Sequence, residues 1–251
     1  MHEENILNHN IISERYFFPR FESFENPFWV DCGDVKLACY YHEKDHNAKT
    51  FVHFHGNGEI VADYLDNLVF RIADMGYNCF LVEYRGYGMS SGKSQAAKIL
   101  RDVEKVIKAI PAEVENMIVF GRSVGSLFAT HAVDLFPQVP ALIIESGIAN
   151  PLERLLLRMH PYELGISPEE LQDAVHTHFN QQQKMHNYRG KTLVLHARND
   201  NLVVVNHGEK LFEWANEPKE LKIFERGDHN NISWVNEKEY FETIANFLQE
   251  I

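Results

Sequence analysis

Apolar residues along this chain recur in short runs that alternate with longer amphipathic stretches. Short apolar runs bounded by turn residues predict buried strands, whereas apolar positions spaced three or four apart predict helices. Strands are predicted over residues 28–30, 35–41, 50–54, 78–82, 117–120, 141–144, 192–195 and 221–224. Helices are predicted over residues 61–75, 94–110, 126–136, 151–159, 168–178, 206–215 and 234–249. The residues before 28 are mostly polar, and the pattern predicts an irregular segment there.

The alternation of strands and helices predicts an α/β fold with a mostly parallel central sheet and helices on both faces. A short polar turn joins the first two strands, which indicates an antiparallel start. Ser94 is the predicted N-cap of the helix that follows the fourth strand, and Ser167 with Pro168 predicts the start of another helix. The length of 251 residues favours one domain over 1–251 rather than two small ones.

Residues 148–189 interrupt this alternation, because they separate two successive strands by an unusually long segment. Long excursions within a compact domain are typical of functional lids, so 148–189 is predicted to be a cap or lid insertion. Its first helix contains Leu156 and Met159, which either line an acyl pocket or pack against the domain. The same helix carries Arg154 and Arg158, which either meet an anionic ligand or form an ordinary solvated face.

Residues 121–125, Gly-Arg-Ser-Val-Gly, lie between a predicted strand and a predicted helix. This context predicts a nucleophile elbow, in which flanking glycines relieve crowding around a strained serine at the sheet edge. Ser123 is therefore the candidate nucleophile. A second match to the pattern G-x-S-x-G, at residues 88–92, centres on Ser90. It is separated from its strand by residues 85–88, and no helix starts within the next residue, so it is interpreted as a flexible connector.

A nucleophilic serine needs a base to accept its proton and an acid to orient that base. Asp200 lies just past the end of one late strand, and His229 follows the last strand. The chain order Ser123, Asp200, His229 is the order found in α/β-type serine hydrolases. Glu145, which ends the strand after the nucleophile's helix, is the alternative acid. The structural alternatives are a turn residue for Asp200 and a solvated loop histidine for His229.

The stretch His-Phe-His-Gly-Asn-Gly at residues 53–58 follows the third strand. Glycines allow the backbone to approach a ligand closely, as an oxyanion hole requires. The backbone amides of Asn57 and Val124 are the predicted donors, and a plain glycine turn is the alternative. His55 is predicted to brace this loop.

The formal net charge of −12 argues against electrostatic binding of nucleic acid or of an anionic membrane surface. No apolar run approaches the ~20 residues needed to span a bilayer, so stable membrane insertion is not expected. No secretory signal is recognisable at the N-terminus, and the three cysteines have no disulfide pattern. These features favour a reducing cytoplasm.

The residues His-Glu-Lys-Asp-His at 42–46 match the zinc-protease pattern H-E-x-x-H. That chemistry needs a helix to bring both imidazoles to one face, together with a third ligand. This segment is predicted to be a polar turn between two strands. No metal and no cofactor are therefore predicted.

In this order, these motifs resemble the α/β-hydrolase superfamily from about residue 28 to residue 251. The resemblance rests on His-Gly-Asn-Gly at 55–58, Tyr-Arg-Gly-Tyr-Gly at 84–88, the Ser123 elbow, the Asp200 loop and Gly-Asp-His at 227–229. The pattern looks most like the branch that contains protein depalmitoylases and monoacylglycerol or lysophospholipid hydrolases.

This resemblance implies a cofactor-free serine hydrolase that cleaves an ester or thioester of a small or lipid-like acyl substrate through an acyl-enzyme. Peptide or amide cleavage and a non-catalytic binding member of the same fold are the alternatives. Substrate identity and oligomeric state are left open.

Overall fold

The computed structural model describes residues 3–249 and 251. Its centre is an eight-stranded sheet with the strand order β1-β2-β4-β3-β5-β6-β7-β8. The strands are β1 Phe28–Asp31, β2 Lys36–His42, β3 Thr50–Phe54, β4 Asn78–Val82, β5 Met117–Arg122, β6 Ala141–Glu145, β7 Lys191–Ala197 and β8 Lys219–Phe224. β2 pairs antiparallel with β1 and β4, and all other neighbours are parallel. The predicted α/β fold and its antiparallel start are confirmed.

Helices cover both faces of this sheet. They are α1 Glu3–Leu7, α2 Asn10–Tyr16, α3 Leu68–Asp74, α4 Ala96–Ala109, α5 Gly125–Leu135, α6 Pro151–Leu156, α7 Pro168–Phe179, α8 Gln181–Asn187, α9 Asn206–Trp214, α10 Ile232–Val235 and α11 Glu237–Leu248. Side chains alternate between two hydrophobic clusters along the central strands β4, β5 and β6. In β5, Val119 joins the cluster under α4 and α5, whereas Ile118 and Phe120 join the cluster under α3 and α11.

The N-terminal segment was predicted to be irregular, and this prediction is wrong. Residues 3–16 contain the short helices α1 and α2. Ile6, Leu7 and Ile12 are fully buried, and α1 packs against α7. Helices this short are not stable alone, so burial of these apolar side chains against the rest of the fold stabilises them.

Several helix boundaries also differ from their predictions. The helix predicted over 151–159 ends at Leu156, so Arg158 and Met159 lie beyond it. The helix predicted over 61–75 is a 3₁₀ turn at Val61–Tyr64 followed by α3, and the helix predicted over 234–249 is divided into α10 and α11. Ser94 is not the N-cap of α4, because its hydroxyl donates to the carbonyl of Arg85 at 3.1 Å. Asn8 takes that part, since its side-chain oxygen accepts hydrogen bonds from the first-turn amides of Ala97 and Lys98.

The segment 148–189 contains α6, α7, α8 and a 3₁₀ turn at Pro161–Leu164. α7 begins as predicted, because the Ser167 hydroxyl accepts from the amide of Glu170 and the Glu170 carboxylate accepts from the amide of Ser167. Of the described residues, no helix is both long and apolar enough to cross a lipid bilayer. All three cysteines are unpaired and buried.

Candidate active site

Ser123 occupies a sharp turn between β5 and α5, and its φ of +52° lies in the left-handed region that a non-glycine residue rarely adopts. The turn requires small neighbours. A Cβ on Gly121 would lie 2.5 Å from the Cβ of Ala129, and one on Gly125 would lie 2.1 Å from the carbonyl oxygen of Phe54. The sequence pattern therefore predicted this backbone geometry for the correct physical reason.

The structure brings the three predicted triad residues into one hydrogen-bonded chain. His229 Nε2 lies 2.9 Å from Ser123 Oγ, and His229 Nδ1 lies 2.7 Å from Asp200 Oδ2. All three residues are buried. If Nδ1 carries the proton and donates it to Asp200, Nε2 is free to accept the serine proton.

Asp200 is held as a carboxylate by its surroundings. Its Oδ1 accepts hydrogen bonds from the amides of Leu202 and Val203, at 2.9 and 2.8 Å. Burial alone would raise the pKa of Asp200, but the contacts from His196 and His229 outweigh burial and hold this pKa below its usual range. Asp200 therefore stays ionised at neutral pH and can orient the imidazole of His229.

Glu145, the alternative acid, contacts residues other than His229. Its carboxylate forms an ion pair with Arg122 at 2.9 Å and accepts a hydrogen bond from the hydroxyl of Tyr240. The structure thus brings Asp200, and not Glu145, into contact with His229.

The two predicted oxyanion donors, Asn57 and Val124, both line the cleft next to Ser123. In the described part of the chain, neither backbone N–H donates a hydrogen bond to another group. Val124 directly precedes the first residue of α5, so its amide lies at the positive end of that helix. Two unpaired amides beside a serine hydroxyl can stabilise a developing oxyanion.

The side chain of Asn57 also joins this loop to the N-terminal segment. Its oxygen accepts hydrogen bonds from the amide of Phe18 at 2.9 Å and the hydroxyl of Tyr87 at 2.8 Å, while its nitrogen donates to the carbonyl of Tyr16. His55 braces the same loop, as predicted, through a 2.8 Å contact between its Nε2 and Glu83. The loop is therefore fixed from two sides.

Arg122 is the main residue whose contribution sequence reasoning missed. It lies partly buried between the carboxylates of Glu59 and Glu145, and its Nη2 donates to the backbone carbonyl of His229 at 2.7 Å. Burial lowers the pKa of Arg122, but the two carboxylates outweigh this effect and raise it. The available signal was its position inside the elbow motif, directly before Ser123.

A cleft of about 280 Å³ opens at Ser123. Leu156 is exposed and Met159 is buried in the core, and neither lines this cleft, so the packing alternative holds for Met159. Arg154 and Arg158 of the same cap segment do line it. The lining residues are Tyr16, Phe18, Asn57, Arg122, Ser123, Val124, Ile148, Arg154, Arg158, Leu202, Val203, His229 and Asn230.

The structure also shows where the two motifs rejected as catalytic sites lie, at residues 88–92 and 42–46. Ser90 is buried and its hydroxyl accepts a hydrogen bond from the amide of Ala38 at 2.9 Å, so its loop is tied to β2 and is not a flexible connector. His42 ends β2, and His46 lies in an exposed turn. Within residues 3–249 and 251, no group of three or more His, Cys, Asp or Glu side chains could hold a metal ion.

The sequence of the chain is similar to one protein family and to several known proteins. Residues 45–162 match the family described as serine aminopeptidase, S33. The chain is 24% identical to human alpha/beta hydrolase domain-containing protein 17B over 222 residues, which cover 86% of this chain and 72% of that protein. It is 26% identical to the uncharacterized protein YfhR of Escherichia coli O157:H7 over 217 residues, covering 81% and 71%.

Solved structures extend this likeness to the whole fold. The esterase Pf2001 of Pyrococcus furiosus superimposes with a TM-score of 0.73 at 18% identity, covering 93% of this chain and 98% of that one. Est1E of Butyrivibrio proteoclasticus, with ferulic acid bound, has a TM-score of 0.73 at 16% identity, covering 89% and 98%. With the mostly parallel eight-stranded sheet, these findings show that the chain has the α/β-hydrolase fold.

Proposed function

We propose that this protein is a serine hydrolase that cleaves a carboxylic ester or thioester. Ser123 Oγ attacks the acyl carbon while His229 Nε2 accepts its proton, and Asp200 holds the imidazole in the required tautomer. The amides of Asn57 and Val124 stabilise the oxyanion of the tetrahedral intermediate. His229 then protonates the leaving alkoxide or thiolate, and water releases the acyl group from Ser123 by the same route.

The observation that carries this proposal is the unbroken chain of hydrogen bonds from Asp200 through His229 to Ser123. A binding module of the same fold would need neither this chain nor two unpaired amides beside the serine. The esterase Pf2001 among the structural relatives supports the ester specificity by analogy.

Amide cleavage is the second candidate, because the matching family is described as serine aminopeptidase. An aminopeptidase must bind the positively charged α-amino group of its substrate, for which a carboxylate is the usual partner. Among the described residues, the cleft is lined by three arginines and by no Asp or Glu. This charge distribution favours the ester or thioester over a peptide with a free N-terminus.

The test compares two serines that share the motif G-x-S-x-G. Ser123→Ala is expected to lower kcat by roughly 10⁴–10⁶-fold with the fold intact, whereas Ser90→Ala keeps most of the activity. Initial rates on short p-nitrophenyl esters and acyl thioesters, with amino-acid p-nitroanilides as the amide arm, give both the activity and the bond preference.

A fluorophosphonate probe followed by peptide mapping locates the nucleophile independently. Labelling of the peptide that contains Ser90, with Ser123 unlabelled, would overturn the assignment. Faster turnover of p-nitroanilides than of esters would favour the aminopeptidase candidate.

A further inference from the structure

The charge of the catalytic cleft is opposite to that of the protein. The chain has a formal net charge of −12, with 36 acidic residues against 24 Lys and Arg. In the described part of the molecule, the residues that line the cleft nevertheless include Arg122, Arg154 and Arg158 and no carboxylate. A positive cleft in an acidic protein attracts anionic ligands and repels cationic ones.

These arginines are not equivalent. Arg122 is neutralised by Glu59 and Glu145, so it is already committed to the fold. Arg154 and Arg158 form no ion pair with a carboxylate in residues 3–249 and 251. Glu153, the carboxylate next to Arg154 in sequence, contacts His207 at 3.3 Å instead. Two guanidinium groups at the cleft are therefore available to an anion.

Both arginines are also presented in a way that suits a ligand. Arg154 belongs to α6 and is half-buried, so its long side chain is partly desolvated and restricted. The guanidinium of Arg158 lies over the ring of Phe18, 5.1 Å from its centroid. Stacking uses the flat face of a guanidinium and leaves its N–H edges free to bind a carboxylate or phosphate.

We propose that the substrate of this site carries an anionic group, a carboxylate or a phosphate, which Arg154 and Arg158 bind while Ser123 attacks the ester or thioester. This inference rests on the proposed hydrolase function. The cleft volume of about 280 Å³ suits a short acyl ester with its charged group nearby. The cap thus selects substrates by charge.

The experiment measures kcat/KM on two matched pairs of esters. Ethyl butyrate is compared with monoethyl succinate, which places a carboxylate on the acyl side. Butyrylglycerol is compared with butyrylglycerol phosphate, which places a phosphate on the alcohol side. The two pairs distinguish the source of the negative charge.

The variants are Arg154→Gln, Arg158→Gln and the double variant. Arg101→Gln on α4 is the matched control, since it removes one positive charge from an exposed ion pair with Glu4. Wild type is expected to prefer the anionic ester of at least one pair. The double variant is expected to reduce that preference about tenfold or more, as loss of hydrogen bonds to a charged group implies, and Arg101→Gln to retain it. Added salt should weaken the preference.

Equal kcat/KM values within both pairs, or a preference that survives in the double variant, would overturn the proposal. Binding of the same esters to Ser123→Ala, measured by calorimetry, tests the anion site without turnover. If wild type hydrolyses no ester and no fluorophosphonate labels Ser123, the hydrolase function fails. Tighter binding of the anionic esters that depends on Arg154 and Arg158 would still support the anion site.

Discussion

Asp200 and Glu145 are both buried acids near strand ends, and their partners distinguish them. Asp200 contacts His229 and two backbone amides, whereas Glu145 contacts Arg122 and Tyr240. Asp200→Asn is therefore expected to reduce kcat by about 10⁴-fold, because an amide stabilises the wrong imidazole tautomer. Steady-state kinetics and thermal melts of each variant provide the measurement.

Glu145→Gln serves as the comparison. It leaves Arg122 with Glu59 as its remaining carboxylate, so its main expected effect is on the free energy of unfolding, with a much smaller loss of kcat. A larger kcat loss in Glu145→Gln than in Asp200→Asn would show that the acid is wrongly assigned.

At the level of single residues, the sequence was sufficient to place Ser123, Asp200 and His229, because each follows a strand whose apolar run ends clearly. Their catalytic roles stay predictions. The contacts of Arg122 were not predictable, since Glu59, Glu145 and the carbonyl of His229 come from separate parts of the chain. Only the folded arrangement of four segments brings these groups together.

The junction of β5 and α5 is the element that positions Ser123, the proposed nucleophile. A Cβ at Gly125 would lie 2.1 Å from the carbonyl oxygen of Phe54 and 2.5 Å from that of His55, and both neighbours are rigid backbone. Gly125→Ala is expected to destabilise the fold by about 1–3 kcal/mol or more and to lower kcat, since the β3 loop must move. Chemical unfolding and ester kinetics provide the measurement.

Gly165→Asn is the matched control, because Gly165 has a positive φ of +70° but no atom within 4 Å of a built Cβ, and asparagine tolerates this conformation. It should change stability much less. If both variants unfold at the same denaturant concentration as wild type, close packing does not explain why the elbow has a glycine at position 125.

The buried strands were the most predictable elements. The predicted bounds of β3 and β4 agree with the structure, because each is an apolar run between polar turns. α1 and α2 were missed because their few apolar residues gain stability only by packing against elements distant in sequence, including α7. Which residues of α6 line the cleft was not predictable either, because this depends on the path of the whole segment 148–189.

For the molecule as a whole, the segment 148–189, which is predicted to be a cap, is joined to α5 partly through part-buried polar contacts. His131 of α5 lies with its Nδ1 3.1 Å from Nζ of Lys184 in α8, and Lys184 also donates to the carbonyl of His178 at 2.8 Å. A neutral imidazole can accept a hydrogen bond from the charged lysine, whereas an imidazolium would be repelled by it. We therefore expect the attachment of this segment to depend on pH.

Burial, followed by the charges of Lys184 and His178, lowers the pKa of His131 to about 3. The unfolded chain has an ordinary histidine pKa of about 6.5, so between these two values it binds a proton that the folded chain does not. The free energy of unfolding is therefore expected to fall as the pH decreases through this range. His131→Gln retains an oxygen that can accept from Lys184 but does not titrate, and should show a flatter dependence.

Urea unfolding at several values from about pH 7 to about pH 4.5 measures this difference in slope. His186→Gln, at an exposed position of α8, is the control and should retain the slope of wild type. Parallel slopes for wild type and His131→Gln would show that His131 is not excluded from protonation in the folded state. The contact between α5 and α8 would then be independent of pH. Other histidines, such as the buried His53, would have to account for any loss of folding stability in acid.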